Sequence, residues 1–170
     1  MRDLTRQIAR LRVSLGYVLG VAAWWLASPT PRSLAAGAAV GAIGEALRIW
    51  AAGHLEKGRE VTSTGPYALT RHPLYAGSTM MGAGIAIAAN SLVVAALVFA
   101  YLAITITAAI RSEEAHLTDK FGGEYQAYRE GSASRATRGF SVARAMKNRE
   151  YRALLGFVAV LLLLGARMYL

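Results

Sequence analysis

The chain has 170 residues, 55% of them hydrophobic, and a formal net charge of +9. A mean hydropathy of +0.34 is too apolar for an ordinary soluble domain of this size. There is no cysteine, which excludes disulfides, thiolate catalysis and cysteine-ligated metals.

The apolar residues come in blocks, which a soluble core does not require. Five spans are predicted, roughly at residues 13–27, 34–53, 74–89, 92–110 and 153–170. A full crossing takes about 20 residues, so the first and third need flanking residues to complete it. The expected fold is all-α, a polytopic integral membrane helical bundle of about five transmembrane helices in a single membrane domain.

Residues 1–12 carry Arg2, Arg6, Arg10 and Arg12, with Leu4, Ile8 and Leu11 on one helical face. Such a segment lies on a membrane surface. It resembles the charged start of a signal peptide, but Trp24 and Trp25 stand where small residues should precede a cleavage site. Paired tryptophans suit the interfacial belt, so the first helix is read as uncleaved.

The second span contains Gly37, Gly41 and Gly44, a spacing that lets a neighbouring backbone approach closely. Packing is sufficient explanation for it. Glu45 and Arg48 stand at i, i+3 inside the same apolar span and can pair. Ions inside a membrane are costly, so they pair or line a polar cavity. Both readings stand: a structural pair, or the lining of a catalytic site.

Before the third span lies residues 64–77, which place Tyr67, Arg71, His72 and Tyr75 around Pro66 and Pro73. Proline suits the first turn of a helix, and the residue before it avoids helical angles. His72 is therefore expected at the N-terminal cap, where outward N–H groups bind carboxylate or phosphate. His72 as a simple cap is the bland alternative; the density of ionisable groups favours a ligand site. The third span itself is rich in Gly77, Ser78, Gly82, Ala83, Gly84, Ala86, Ala88 and Ala89, which means tight helix packing or room for a ligand.

Only Asn90 and Ser91 separate the third span from the fourth. A hairpin this tight returns the chain to the side it left, bringing residues 64–77 and 113–128 to one face. Glu113 and Glu114 follow the fourth span. Carboxylates at a helix C-terminus oppose the macrodipole by roughly 0.3–1 kcal/mol each, so a cationic partner is expected. Arg111, Lys120 and a bound ammonium group are the choices.

Residues 129–152 form a basic connector. Phe140, Ala143 and Met146 are spaced for a short interfacial helix, against the alternative of a solvated linker. An extra C-terminal helix at residues 153–170 contains Leu161, Leu162, Leu163 and Leu164.

Lys and Arg number four in residues 1–12, one in 28–33, three in 54–73 and nine in 111–152. The basic connections alternate, which puts the N-terminus in the cytoplasm and the C-terminus outside. The positive charge is assigned to anionic lipid headgroups rather than to nucleic acid. His54, His72 and His116 match no usual zinc spacing, and no metal is expected.

The two polar clusters resemble those of the isoprenylcysteine carboxyl methyltransferase family of integral membrane enzymes and its small bacterial relatives. The resemblance rests on Gly65, Pro66 and Tyr67; on Arg71, His72, Pro73, Tyr75 and Gly77; on Glu113, Glu114 and Leu117; and on Phe121, Gly122, Glu124, Tyr125 and Tyr128. It covers residues 45–128. It implies an S-adenosylmethionine-dependent methyltransferase of the bacterial inner membrane, acting on a small lipophilic acceptor. Its cofactor contacts fall on His72, Tyr75, Glu113 and Glu114, with Tyr67 and Arg71 in support. Glu45, Arg48 and Arg129 are the expected catalytic, acceptor-side residues.

One departure stands out. The carboxyl methyltransferases carry an arginine three positions after the second tyrosine, where this chain has Gly131. Arg129, Arg135 and Arg138 are the arginines near enough to replace it. Two alternatives from other classes are a membrane sterol-reductase-like enzyme using NADPH, which shares an arginine–histidine segment, and a non-catalytic membrane scaffold.

Overall fold

The computed structural model describes residues 16–132 and 138–170. The expected surface segment at residues 1–12 lies outside the described residues, as does Arg135. The described chain forms α1 (Gly16–Leu26), α2 (Pro31–His54), a 3-10 turn (Gly65–Ala68), α3 (Pro73–Ala89), α4 (Leu92–Phe121), α5 (Gly123–Arg129), α6 (Val142–Lys147) and α7 (Tyr151–Arg167). There is no strand among the described residues. The architecture is an all-α membrane bundle.

Local chemistry sets the helix ends. Thr30 caps α2 by accepting from the Ser33 amide, while the Ser33 hydroxyl accepts from the Thr30 amide, and Pro31 occupies the first turn. This is a reciprocal cap that satisfies two otherwise orphan donors. Asn90 ends α3 in the left-handed region at φ 49°, which asparagine tolerates better than most residues. Ser91 then caps α4 by accepting from the Val94 amide. The Asn90 side chain donates to the Ser28 carbonyl at 3.0 Å, and the Ser28 amide donates to the Ala89 carbonyl at 2.9 Å. The two short turns are thereby stitched together at one end of the bundle.

Helices α2 and α3 run antiparallel and touch backbone to backbone. A Cβ on Gly84 would sit 2.6 Å from both the Gly37 carbonyl oxygen and the Gly41 amide nitrogen; one on Gly44 would sit 2.6 Å from the Gly77 carbonyl oxygen. No side chain fits there, so the glycine spacing is a packing device. Phe157 of α7 lies over Gly41, and Leu102 of α4 lies over Gly82. At the end away from the polar clusters, Ala27, Ala88, Ala89, Val94 and Leu164 form an apolar cluster.

On α4 only Val94 is buried, while Leu92, Val93, Phe99 and Ile104 are exposed. Moving such a side chain out of water is worth roughly 1.5–3 kcal/mol each. Water is thus the wrong solvent for this surface, and lipid the right one. By length and composition, α2 and α4 can each cross a membrane. Helices α3 and α7 have 17 residues each, or about 26 Å at 1.5 Å per residue, and need flanking residues to reach across. The final helix starts at Tyr151 and ends at Arg167, a little earlier at both ends than the expected span at residues 153–170.

The structure corrects one expectation. Glu113 and Glu114 are not at a helix end, because α4 continues for 30 residues to Phe121. Residues 111–120 contain neither glycine nor proline, so nothing stops the helix before Gly122, whose φ is 48°. The argument from an opposed macrodipole does not apply to them.

The basic connector is anchored rather than solvated. Its helix α6 begins after Phe140, which packs against the His54 ring instead. The Ser141 amide and Arg144 both donate to the Gly53 carbonyl, and Asn148 donates to those of Ala52 and Leu55. A helix end leaves such carbonyls without partners, and the connector supplies them for α2. Arg138 adds a two-pronged pair to Glu60, at 2.5 and 2.9 Å, and Arg144 pairs with Glu56 at 3.0 Å.

Candidate functional site

The two polar clusters meet at the end of the bundle that holds the start of α3 and the last turns of α4. His72 caps α3 with φ −131° and makes no side-chain cap bond, so its ring is not used as a helix cap. Its Nε2 instead lies 3.1 Å from a Glu114 carboxylate oxygen, and an Arg71 guanidinium nitrogen lies 3.4 Å from the same oxygen. Glu114 is thus held by the Arg71 guanidinium and the His72 ring. Lys120, which sequence spacing offered for that part, donates to the Gly58 carbonyl at 2.7 Å.

Around this pair stand the aromatic residues. The Tyr75 ring is 5.9 Å from that of His72. Tyr67 is buried, and its carbonyl accepts a 2.7 Å hydrogen bond from the Tyr128 hydroxyl. Burial, then the charge of Glu113, pushes the Tyr67 phenol well above the ordinary tyrosine range, so it stays neutral. Burial likewise pushes Tyr128 up to about 12. Glu113 is half-buried.

An open cleft of about 470 Å³ runs along this end, lined among others by Tyr67, Thr70, Arg71, Tyr128, Arg129 and Gly131. Arg129 therefore shares a wall with Arg71. Gly131 adopts φ +74° and has open space where a side chain would project.

Glu45 and Arg48 form a second, separate group between α2, α3 and the start of α7. They do pair at i, i+3, but loosely, at 3.9 Å. The main partner of Arg48 is Glu150, at 2.6 Å. Arg48 also donates to the Leu74 carbonyl at 3.3 Å and to the Ser78 hydroxyl. Glu45 is 3% exposed, and neither carboxylate oxygen has a hydrogen-bond partner among the described residues. The two groups connect through the first turn of α3: Leu74, gripped by Arg48, is two residues from His72.

Sequence reasoning missed two residues. Glu150 was counted as part of a basic connector; a carboxylate at a helix start is favoured by the macrodipole, so nothing local marked it as a partner for Arg48. Tyr125 was read only as a motif member. It is buried at 2% exposure, and its hydroxyl has no hydrogen-bond partner among the described residues. No cluster of three or more His, Asp or Glu side chains able to hold a metal ion occurs among the described residues.

Comparison with known proteins supplies the class. A sequence model described as phospholipid methyltransferase matches residues 11–124. The chain is also similar to the nickel-cobalt-cadmium resistance protein NccN of Alcaligenes xylosoxydans xylosoxydans, 34% identical over 83 residues. That match covers 48% of this chain and 38% of the relative, so the chain spans well under half the length of that protein. No solved structure matches. The family match ends just after α4, and α6 and α7 lie beyond it.

Proposed function

The chain belongs to the phospholipid methyltransferase family, and from that premise we propose that it is an S-adenosylmethionine-dependent methyltransferase of the membrane, acting on a small lipophilic acceptor. Membership of the family implies methyl transfer. The methyl donor, the acceptor class and the residue roles are our reading.

The observation that carries it is the joining of His72 and Arg71 to Glu114, residues from two polar segments, at the polar end of the bundle. The set suits the donor. S-adenosylmethionine supplies a methyl group on a sulfonium, and its amino-acid end carries both a carboxylate and an ammonium. Arg71 and the α3 N-terminus would hold the carboxylate, and Glu113 and Glu114 the ammonium. Tyr67 and Tyr75 would wall the site with neutral aromatic surface. The open cleft of about 470 Å³ borders this set through Tyr67 and Arg71, and its volume falls in the range of small-molecule sites.

Glu45 and Arg48 are assigned to the acceptor side. A lipophilic acceptor would approach from the bilayer between helices, and holding it in line with the methyl group supplies much of the rate. Glu45 is the base for an acceptor that must lose a proton. Arg129 takes the acceptor's polar end, in the cleft where Gly131 replaces an arginine. With no arginine at 131, prenylcysteine is a poor acceptor. The polar end faces the cytoplasm, on the alternation of Lys and Arg, in a bacterial inner membrane.

Labelled S-adenosylmethionine presented to the chain in vesicles, with a total lipid extract and a prenylcysteine analogue in parallel, tests the reading. Label is expected in the lipid fraction and not on the prenylcysteine analogue. Efficient transfer to prenylcysteine would overturn the acceptor assignment.

A further inference from the structure

Glu45 and Arg48 stand one turn apart on α2, a spacing at which a carboxylate and a guanidinium ordinarily close into a pair. Here they stay 3.9 Å apart. Glu45 is 3% exposed, and neither of its carboxylate oxygens has a hydrogen-bond partner among the described residues. A buried polar group left unbonded is a net cost, and packing alone gives no return for it.

The gap persists because the Arg48 guanidinium is already taken. Its Nε donates to Glu150 at 2.6 Å, and one terminal nitrogen donates to the Leu74 carbonyl at 3.3 Å and to the Ser78 hydroxyl. The connector delivers Glu150 to this place. Asn148 is fixed to the Ala52 and Leu55 carbonyls at 2.8 and 2.9 Å, and Arg149 then turns the chain in the left-handed region at φ 61°. That region is uncommon for a residue with a side chain. The Glu150 amide donates back to the Ala145 carbonyl at 3.2 Å, and its side chain, 7% exposed, meets Arg48. Two buried carboxylates thus compete for one guanidinium, and Glu150 holds it.

We propose that Glu150 is a positioning residue for methyl transfer: by holding Arg48 against α3, it leaves the Glu45 carboxylate free to act on the acceptor. The proposal rests on the functional reading above, in which Glu45 is the base, and extends it to a residue beyond the family match to which that reading gave no part. As the acceptor's nucleophilic atom bonds the methyl carbon and the carbon–sulfur electron pair returns to sulfur, Glu45 takes the proton that the acceptor loses. A carboxylate lone pair committed to Arg48 is not available to that proton. Without the Glu150 charge, Arg48 turns to Glu45, which is already within 3.9 Å, and the i, i+3 pair closes.

The test is a cycle of Glu45→Gln, Glu150→Gln and the double variant, in the full chain in vesicles, with saturating S-adenosylmethionine and a total lipid extract as acceptor. Transfer rate and donor affinity are read together. A general base contributes roughly 10²–10⁴ in rate, so Glu45→Gln should be about a hundredfold slower or more. Glu150→Gln should lose part of the same effect, about tenfold or more, with donor affinity at the wild-type level. The double variant should be no slower than Glu45→Gln, since Glu150 acts through Glu45. Glu150→Asp keeps the charge one methylene short. It should retain more of the rate than Glu150→Gln, and it carries the same cycle if the glutamine variant does not fold. A wild-type rate in Glu150→Gln overturns the proposal while leaving the functional reading intact. So does a double variant slowed by the product of the two single effects, which would give Glu150 a role of its own. So does a loss of donor affinity that matches the loss of rate, which would place the effect at the start of α3. A wild-type rate in Glu45→Gln, or no transfer by the wild type, would instead remove the functional reading, and the proposal with it.

Discussion

Nε2 of His72 lies 3.1 Å from the Glu114 carboxylate, although the two residues are 42 positions apart in the chain. The connection is built by a hairpin with almost no loop: α3 runs away from His72, Asn90 turns the chain, and α4 runs back past it. A pair so made, with Arg71 on the same carboxylate oxygen, presents both signs of charge at the polar end of the bundle.

If this pair binds the donor, His72→Ala and Glu114→Ala should each weaken S-adenosylmethionine binding without unfolding the protein. Loss of one charge-assisted contact costs about 1.5–3 kcal/mol. Glu114 is 29% exposed at its side chain, so the lower part of that range is expected for it. Calorimetry on both variants and on the double variant checks this. The double variant should lose less than the sum, because the residues touch. Affinity at the wild-type level in both single variants would sink the site assignment.

The meeting of residues 64–77 with 113–128 was legible in the sequence for a physical reason. Two apolar runs joined by Asn90 and Ser91 have one compact arrangement, an antiparallel hairpin, and that alone sets the polar ends side by side. The glycines at 37, 41 and 44 announced close packing because glycine spacing maps directly onto a helix face. The end of α4 was not legible. Apolar periodicity stops at Ile110, but the helix depends on backbone propensity and does not stop until Gly122. The partner of Arg48 was hidden for a different reason. Glu150 is 102 positions away, and only the packing of α7 on α2 brings it there.

The Arg48–Glu150 pair is buried, at 20% and 7% side-chain exposure. Removing one partner of such a pair leaves an uncompensated charge and costs about 3–5 kcal/mol. Glu150→Ala should therefore destabilise the bundle strongly, and Glu150→Gln, which keeps an acceptor oxygen, much less. Arg48 also holds the Leu74 carbonyl, so the Ala variant should additionally loosen the first turn of α3. Unfolding in detergent would measure it; a Glu150→Ala variant within about 0.5 kcal/mol of wild type would show the pair to be incidental.

Tyr128 gives a pH dependence with a definite sign. Its pKa is raised from 10.0 to about 12, first by burial and then by Tyr125, with Arg71 opposing. The unfolded chain loses this proton near pH 10, while the folded chain holds it to about 12. The stability it contributes is therefore fully present below pH 10 and lost as pH rises to about 12. Tyr128→Phe cannot ionise and should lack that part of the alkaline loss. At neutral pH it should be about 1 kcal/mol less stable, for the lost bond to the Tyr67 carbonyl. Unfolding midpoints measured across alkaline pH would check both; parallel curves for the two proteins would contradict the assignment.

The proposed orientation, read from the alternation of Lys and Arg, has its own test. Reporter fusions at Asn90 and at Leu170 should appear on the outer side of the membrane, and one at Gly131 in the cytoplasm. The turn at Asn90 and the end of α7 share the end of the bundle away from the arginines of the connector. A reporter at Leu170 active in the cytoplasm would refute an odd number of crossings.

The most direct measurement is a parallel titration of the purified chain with S-adenosylmethionine and with NADPH. A methyltransferase built on His72, Arg71 and Glu114 binds S-adenosylmethionine saturably, loses that binding in His72→Ala, and does not bind NADPH. Saturable NADPH binding with no detectable S-adenosylmethionine binding would contradict the account and turn the same polar cluster into the site of a reductase.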